Sequence, residues 1–368
     1  MKLWTKHTAI LAGLAAVLLP LSCTRIEPQE QTRSQICYNV VQYTQTKAAE
    51  TYPLDRPFIS SAFYLENGKT WAANHSEAKA FIEEATISYV DGLWKDASRS
   101  YYWPLSGKLN FLSYSPAEIK SNTTVDCNTG ITITDWDVNA NQAVDIMVAD
   151  VQTEQTANKN VGLYTGVPTI FRHKLSQIVG FEFNTFEDYA NGHNGSYQDG
   201  DVVFIVNEIQ ICKLIQKGTY YSSYDVGTAV AKIGAWIPDG SAFASSYTWY
   251  NGSGKEVLYS TSSMTPVTGG LSHIMLLPQT FANPGEADSS TVPHLKLVYT
   301  QRSYTSGTYS DVQKTAYVSL YDLFQSSANK ININRQIKVR ITFNRQADLI
   351  TWAPDQEEWS DSEFSVII

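Results

Sequence analysis

Charge is scarce in this 368-residue chain: Asp, Glu, Lys and Arg make up 17% of it, and the formal net charge is -9. Such a surface lacks the clustered Lys and Arg on which nucleic-acid affinity depends, so nucleic acid is excluded as a partner. Cysteine is also scarce, at four residues. Beyond Cys23 there remain Cys37, Cys127 and Cys212. This odd, widely spaced set is neither a disulfide framework nor a zinc site. Cys212, in IQICKLI, reads as a small buried hydrophobe. After the first 22 residues no apolar run is long enough to cross a membrane as a helix.

Catalytic motifs are missing too. NGKT (Asn67–Thr70) and SGKL (Ser106–Leu109) end like phosphate-binding loops, but Phe63 and Tyr102 stand where the earlier glycine is required. Neither can form the nest of backbone N–H groups that holds a phosphate. Asp135, Asp137 and Asn139 begin like a calcium loop, yet Ala140 replaces the turn glycine and Ile146 the closing acid, which leaves a polar turn. The six histidines are scattered, with no helical pair, and there is no G-x-S-x-G elbow. His173 reads as a structural or edge-strand residue. Asp355, Glu357, Glu358, Asp361 and Glu363 offer either a carboxylate pair for glycoside hydrolysis or a solvated loop. Tyr101, Tyr102, Trp103, Trp249 and Tyr250 are either a sugar-stacking surface or strand packing. The expectation is a protein that is not an enzyme and holds no cofactor and no metal.

Positive signals begin at the N-terminus. Lys2 and Lys6 precede an uncharged, mostly apolar run, Thr8 to Leu21, too short to span a bilayer but of signal-peptide length. Ser22 and Cys23 follow, as at a lipobox, where a lipid is attached to the cysteine and the chain is cut before it; Pro20 occupies the position that usually holds Leu. The other reading is an ordinary signal peptide cut near Ser22. Residues 1–22 are thus expected to be the signal peptide and 23–35 a polar, lipid-linked tether.

Strand signals dominate the rest: ICYNVVQY (36–43), PFISSAFYL (57–65), KLNFLSY (108–114), GITIT (130–134), QIVGFEF (177–183), DVVFIVNEIQI (201–211), HIMLLPQ (273–279), PHLKLVYT (293–300), TAYVSL (315–320) and QIKVRITF (336–343). HLKLVYT and QIKVRITF alternate as strands with one buried face do. Only Ser76–Glu84 and Leu320–Ser327 read as helical, and Gln152–Lys159 reads as a linker. Short strands separated by turn clusters predict an all-β chain of antiparallel sandwiches.

Several segments in order resemble the fimbrillin family of lipoprotein-derived pilus subunits: ICYNVVQYTQTKA, YYWPLSGKLNFLSYSP, AVDIMVAD, FRHKLSQIVGFEF, IMLLPQT and ININRQIKVRITF followed by WAPDQEEW. The resemblance implies two tandem transthyretin-like antiparallel β-sandwich domains with few short helices, assigned to residues 36–155 and 160–368. It implies a structural and adhesive subunit of a surface fimbria, attached to the outer membrane through lipid. Other fimbrillin subunits, a processing protease and a host or bacterial surface receptor would be its partners. In the family the first strand after the lipid is cut away, which opens a groove for a neighbour's strand. Here that strand is Ile36–Tyr43 and the cut falls at Lys47–Ala48, where the family often has Arg; Arg56 is a poor substitute because Pro57 follows. Phe364, Ser365, Val366, Ile367 and Ile368 form the candidate donor strand, or an edge strand of their own domain. The alternative function is a surface-exposed glycan-binding lipoprotein. A secreted hydrolase fits worst, for want of a nucleophile–base constellation.

Replacing Cys23 by alanine is expected to abolish lipid attachment. Labelling cells with radioactive palmitate tests this, and undiminished incorporation into the variant would refute the lipoprotein reading.

Overall fold

The computed structural model describes residues 34–42, 52–157, 166–186, 196–222, 234–244, 246–344 and 350–358. The signal peptide, Cys23, the tether up to Arg33, the Lys47–Ala48 site and Phe364–Ile368 lie outside the described residues. The chain is all-β with a few short helical turns. In chain order the first strands are β1 (Tyr38–Gln42), β2 (Phe58–Leu65), β3 (Lys79–Val90), β4 (Leu93–Asp96), β5 (Lys108–Ser115), β6 (Thr123–Asp126), β7 (Gly130–Asp137), β8 (Met147–Ala149) and β9 (Gln152–Gln155). Then come β10 (Val167–His173), β11 (Ser176–Thr185), β12 (Val202–Cys212), β13 (Lys217–Tyr221), β14 (Ala235–Pro238), β15 (Ser246–Glu256), β16 (Thr265–Pro266), β17 (Ile274–Leu276) and β18 (Gln279–Thr280). The last are β19 (His294–Thr305), β20 (Thr308–Ser319), β21 (Lys330–Ile331), β22 (Arg335–Phe343) and β23 (Ile350–Glu358).

The largest sheet runs β2-β3-β4-β1-β10-β8-β5-β9, and β5 also pairs with β2. That second pairing closes the sheet into a ring with β9 as an appendage. Closure removes the unpaired edges that an open sheet would carry. Ile36, Tyr38, Val40, Phe58, Ile87, Phe111 and Phe171 belong to the core within it. β2 and β5 are buried on both faces because alternate residues point two ways. Phe58, Ala62, Leu109 and Phe111 join the ring core. Ile59, Phe63, Leu112 and Tyr114 meet a second core beneath the sheet β14-β13-β7-β6. A third core lies between β16-β11-β22-β23, with β17 on β11, and β15-β12-β19-β20, filled by Phe181, Phe204, Leu297, Val339 and Phe343 among others.

Pairing redraws the expected split at 155–160. β10, from beyond that point, lies in the ring beside β1, and β13 and β14 sit with β6 and β7. The chain passes from ring to third core through Lys174 and Leu175, between β10 and β11. There Trp236 Nε1 donates to the Lys174 carbonyl at 2.5 Å. Gln142 adds another tie: its amide accepts from Met275 N at 2.7 Å and donates to Met275 O at 2.9 Å, as a neighbouring strand would.

Three local expectations fail. Ser76–Glu84 is not a helix: a short helix covers Trp71–Asn74, a 3-10 turn His75–Glu77, and then β3 begins. Pairing with β2 and burial of Ile82, Ala85 and Ile87 override the helical propensity of KAFIEEA. The polar Gln152–Lys159 stretch holds strand β9 against β5, with Lys108 and Glu154 paired at 2.8 Å. The acidic tail segment is an edge strand through Glu358, and Asp355 meets Arg340 at 2.9 Å.

Lys174 is 1% exposed. Desolvation, opposed by nearby Asp150, pulls its pKa from 10.5 down to about 7. Between those values the unfolded chain holds a proton that the folded chain has released. Stability therefore rises with pH across that window and is lost as pH falls towards 7. The slope is at most about 1.4 kcal/mol per pH unit. Lys174→Met should remove it, which urea unfolding midpoints at about pH 7.5 and about pH 9.5 would reveal.

Candidate functional site

β1 is the strand through which the ring can be opened. Its residues are β-branched and aromatic at alternate positions, so Ile36, Tyr38 and Val40 all point into the ring core. Tyr38 meets Phe58 and Phe111 edge-on, with ring centroids 5.5 and 5.8 Å away. Burial pushes its phenol well above the ordinary value, so it enters the core neutral. Each of the three side chains contributes about 1.5–3 kcal/mol by leaving water.

The two sides of β1 are unequal. Towards β10 it forms a parallel ladder from Tyr38↔Val167 to Gln42↔Phe171. Towards β4 the register partner among the described residues is Tyr38↔Trp94. The strand's entry is held by further backbone bonds: Ile36 N donates to Tyr101 O at 2.8 Å, Trp103 N to Ser34 O at 3.1 Å, and Val167 N to Cys37 O at 2.8 Å. Cys37 is half-buried, and burial raises its thiol pKa. At Gly166 (φ +125°) a Cβ would lie 2.7 Å from the Tyr38 carbonyl carbon and 2.9 Å from Asn39 N. Only glycine permits both this φ and this approach.

On the far side of the segment that contains Lys47 and Ala48, Tyr52 is fully buried. It stacks on Phe171 at 4.9 Å and meets Trp94 edge-on at 5.5 Å, while its hydroxyl bonds Ser115 Oγ. The chain is therefore anchored in one core on both sides of the expected cut.

β10, the long-ladder partner, is fixed at its C-terminal end by charge. Arg172 donates from Nε and Nη2 to Asp150 at 2.7 and 3.0 Å. His173, 1% exposed, has Nδ1 2.9 Å from Asp145 Oδ2, and Arg56 lies 4.0 Å from the same oxygen. His173 is thus structural, as expected. Asp137 Oδ1 accepts from Asn139 N and Ala140 N at 3.0 and 3.1 Å, the polar turn read from its loop. Trp103 and Trp249 are buried, so they supply no sugar-stacking surface; Tyr102 is exposed. Gly166, Tyr52 and the ring closure were missed from sequence. Their signal lies in long-range pairing, which local pattern does not carry.

The fimbrillin-like family model matches residues 62–359. A fimbrial protein from Bacteroides vulgatus, known from its crystal structure, is similar in fold: TM-score 0.62 at 17% identity, over 89% of this chain and 99% of that one. Weaker likenesses include a Parabacteroides distasonis protein described as a cell adhesion protein (TM-score 0.47, 11% identity, 89% of this chain and 96% of that one). The fimbrial anchor protein Mfa2 from Porphyromonas gingivalis is another, at TM-score 0.31 and 12% identity over 88% of this chain and 97% of that one. No curated protein matches.

Gly166→Ala should loosen β1 selectively, by about 1–3 kcal/mol of backbone strain. In native-state hydrogen exchange, amides of residues 38–42 should exchange faster while those of β12 and β19 are unchanged. Equal acceleration throughout would mean that β1 is not a separable element.

Proposed function

The chain belongs to the fimbrillin-like family, and from that membership we propose that it is a structural subunit of a cell-surface fimbria, joined to its neighbours by proteolysis-triggered strand exchange. The observation that carries this reading is the seat of β1: one strand of a closed ring, with a five-residue ladder to β10 on one side and, among the described residues, one register pair with β4 and a bridge to Tyr102 at its entry on the other. While covalently attached, β1 refills its own seat at high effective concentration. Cutting at Lys47–Ala48 turns it into a peptide held by non-covalent contacts alone. Tyr52 keeps the new chain start anchored in the ring core.

Loss of β1 exposes backbone groups of β10 and β4, and a neighbour's strand added there gains main-chain hydrogen bonds. The donor must present apolar side chains at every second position, as Ile36, Tyr38 and Val40 do. In EFSVII, Phe364, Val366 and Ile368 have that spacing, with Ser365 and Ile367 between them. Because donor and acceptor surfaces differ, the contact is heterologous and does not close, so repetition builds a filament. Lipid at Cys23 holds the precursor at the outer membrane until the protease acts. The role is structural and involves no catalysis.

Two variants separate the steps. Lys47→Gln should stay folded, resist the processing protease and form no polymer ladder. A chain lacking Phe364–Ile368 should be cut normally and still fail to extend. Polymer length on non-reducing gels reads both. A cleaved, full-length protein that remains monomeric alone and with its co-encoded partners would overturn the proposal.

A further inference from the structure

β19 and β20 form a hairpin closed by the two-residue turn Ser306–Gly307, with φ of +55° and +71°. β20 is the outer strand of its sheet, and among the described residues nothing pairs with its far side. Which of its backbone groups face outward follows from the neighbouring strand. Tyr304 N donates to Asp201 O at 3.0 Å and Tyr304 O accepts from Gly200 N at 2.9 Å, both on the side away from β20. Hence Thr305 and Ser303 face β20 and bond Thr308 and Ser310, their register partners. Leu320 N donating to Pro293 O at 2.8 Å continues the same alternation at the other end. The N–H and C=O groups of Tyr309, Asp311, Gln313, Thr315 and Tyr317 therefore point outward.

This edge is long, free of proline and only sparsely charged; its apolar residues are open to water, with Tyr309 and Val312 each 54% exposed and Tyr317 42%. Natural proteins rarely leave such an edge without a partner. Its own sequence is complementary to itself when antiparallel. Facing residues must both point outward or both inward, which restricts the two-fold registers. An axis through Asp311 would oppose two carboxylates, and one through Lys314 two ammonium groups. An axis through Val312 avoids both but leaves Tyr317 unpaired. An axis through Gln313 alone matches every outward residue with another: Tyr309 with Tyr317, Asp311 with Thr315, and Gln313 with itself. It also places an aromatic pair at each end, the favourable cross-strand contact. Asp311 is already neutralised within its own chain by Arg302, whose Nε and Nη2 donate at 2.8 Å each while its guanidinium lies 4.0 Å over the Tyr309 ring.

We propose that β20 is a homophilic interface: two copies of this chain pair their β20 edges antiparallel about Gln313, continuing the sheet β15-β12-β19-β20 across a two-fold axis. The contact is independent of strand exchange, since it uses neither β1 nor the Lys47–Ala48 cut.

The uncleaved full chain tests it, because strand exchange is then silent. Sedimentation velocity across a concentration series should show a monomer–dimer equilibrium. Gln313→Pro removes an outward N–H and leaves the ladder to β19 intact, so it should weaken dimerisation at least about tenfold with an unchanged melting temperature. In a second arm, Gln313→Cys should form an intermolecular disulfide on mild oxidation, whereas Val312→Cys and the parent chain should not. A chain that stays monomeric throughout overturns the proposal. So does a dimer indifferent to Gln313→Pro, or one linked through Val312→Cys and not Gln313→Cys.

Discussion

The parallel ladder between β1 and β10 is the interaction on which the ring depends. Without it β4 and β10 become edges, and the side chains of Phe58, Trp94, Phe111 and Phe171 lose the cover that Ile36, Tyr38 and Val40 provide. The ladder is also non-local, since it joins residues near 40 to residues near 170. Forming it costs the loop-closure entropy of the intervening chain, a cost that local pairings such as β3 with β4 do not carry.

What prevents β1 from carrying β10 away with it is the far end of β10. Arg172 and His173 are tied to Asp150 and Asp145, the Lys174 carbonyl accepts from Trp236, and Leu175 sits in the second core. Immediately afterwards β11 enters a second parallel ladder, with β22. The wall of the β1 seat is therefore continuous with the third core, while the described apolar side chains of β1, Tyr38 and Val40, lie in the ring core. The cost of the buried ion pairs is offset by their geometry: Asp150 receives two nearly parallel hydrogen bonds from one guanidinium, the arrangement in which a largely buried pair is most favourable.

Much of this was legible in sequence, and the limits have physical causes. β1 could be read from its β-branched and aromatic content, Ile36, Tyr38, Val40 and Val41, and β22 because Ile337, Val339, Ile341 and Phe343 alternate with polar residues. β3 could not, because a bulge at Glu84, where φ is +42°, shifts the register and leaves KAFIEEA with a helix-like spacing of apolar residues. β9 and β23 were hidden by polar sequence, since an outer strand needs little apolar content to pair. The site itself was half visible. The first strand proposed to be removable and the Lys47 that follows it form a local pattern, whereas the ring closure through β2 and β5, the anchor at Tyr52 and the close approach at Gly166 come from segments distant in sequence.

The unequal sides of β1 bear on how a strand can be replaced. Exchange by complete departure would expose the whole apolar seat to water before any new contact formed. Exchange by invasion needs a place where partner groups are already free. Among the described residues β4 gives β1 one register pair, Tyr38↔Trp94, and Tyr101 and Trp103 bond the same side at Ile36 and Ser34, so on the proposed reading an incoming strand begins to pair on the β4 side past Tyr38 while the ladder to β10 still holds. Each residue gained there can be matched by one lost from β1. The barrier is then that of a few residues at a time, not of the full ladder. The β20 edge obeys a different symmetry, because an isologous pairing about Gln313 closes after two copies, whereas head-to-tail exchange continues indefinitely. The ring and the β20 sheet surround separate cores. The two proposed contacts, filament growth through the first and pairing with a neighbouring copy through the second, therefore do not compete for the same backbone groups.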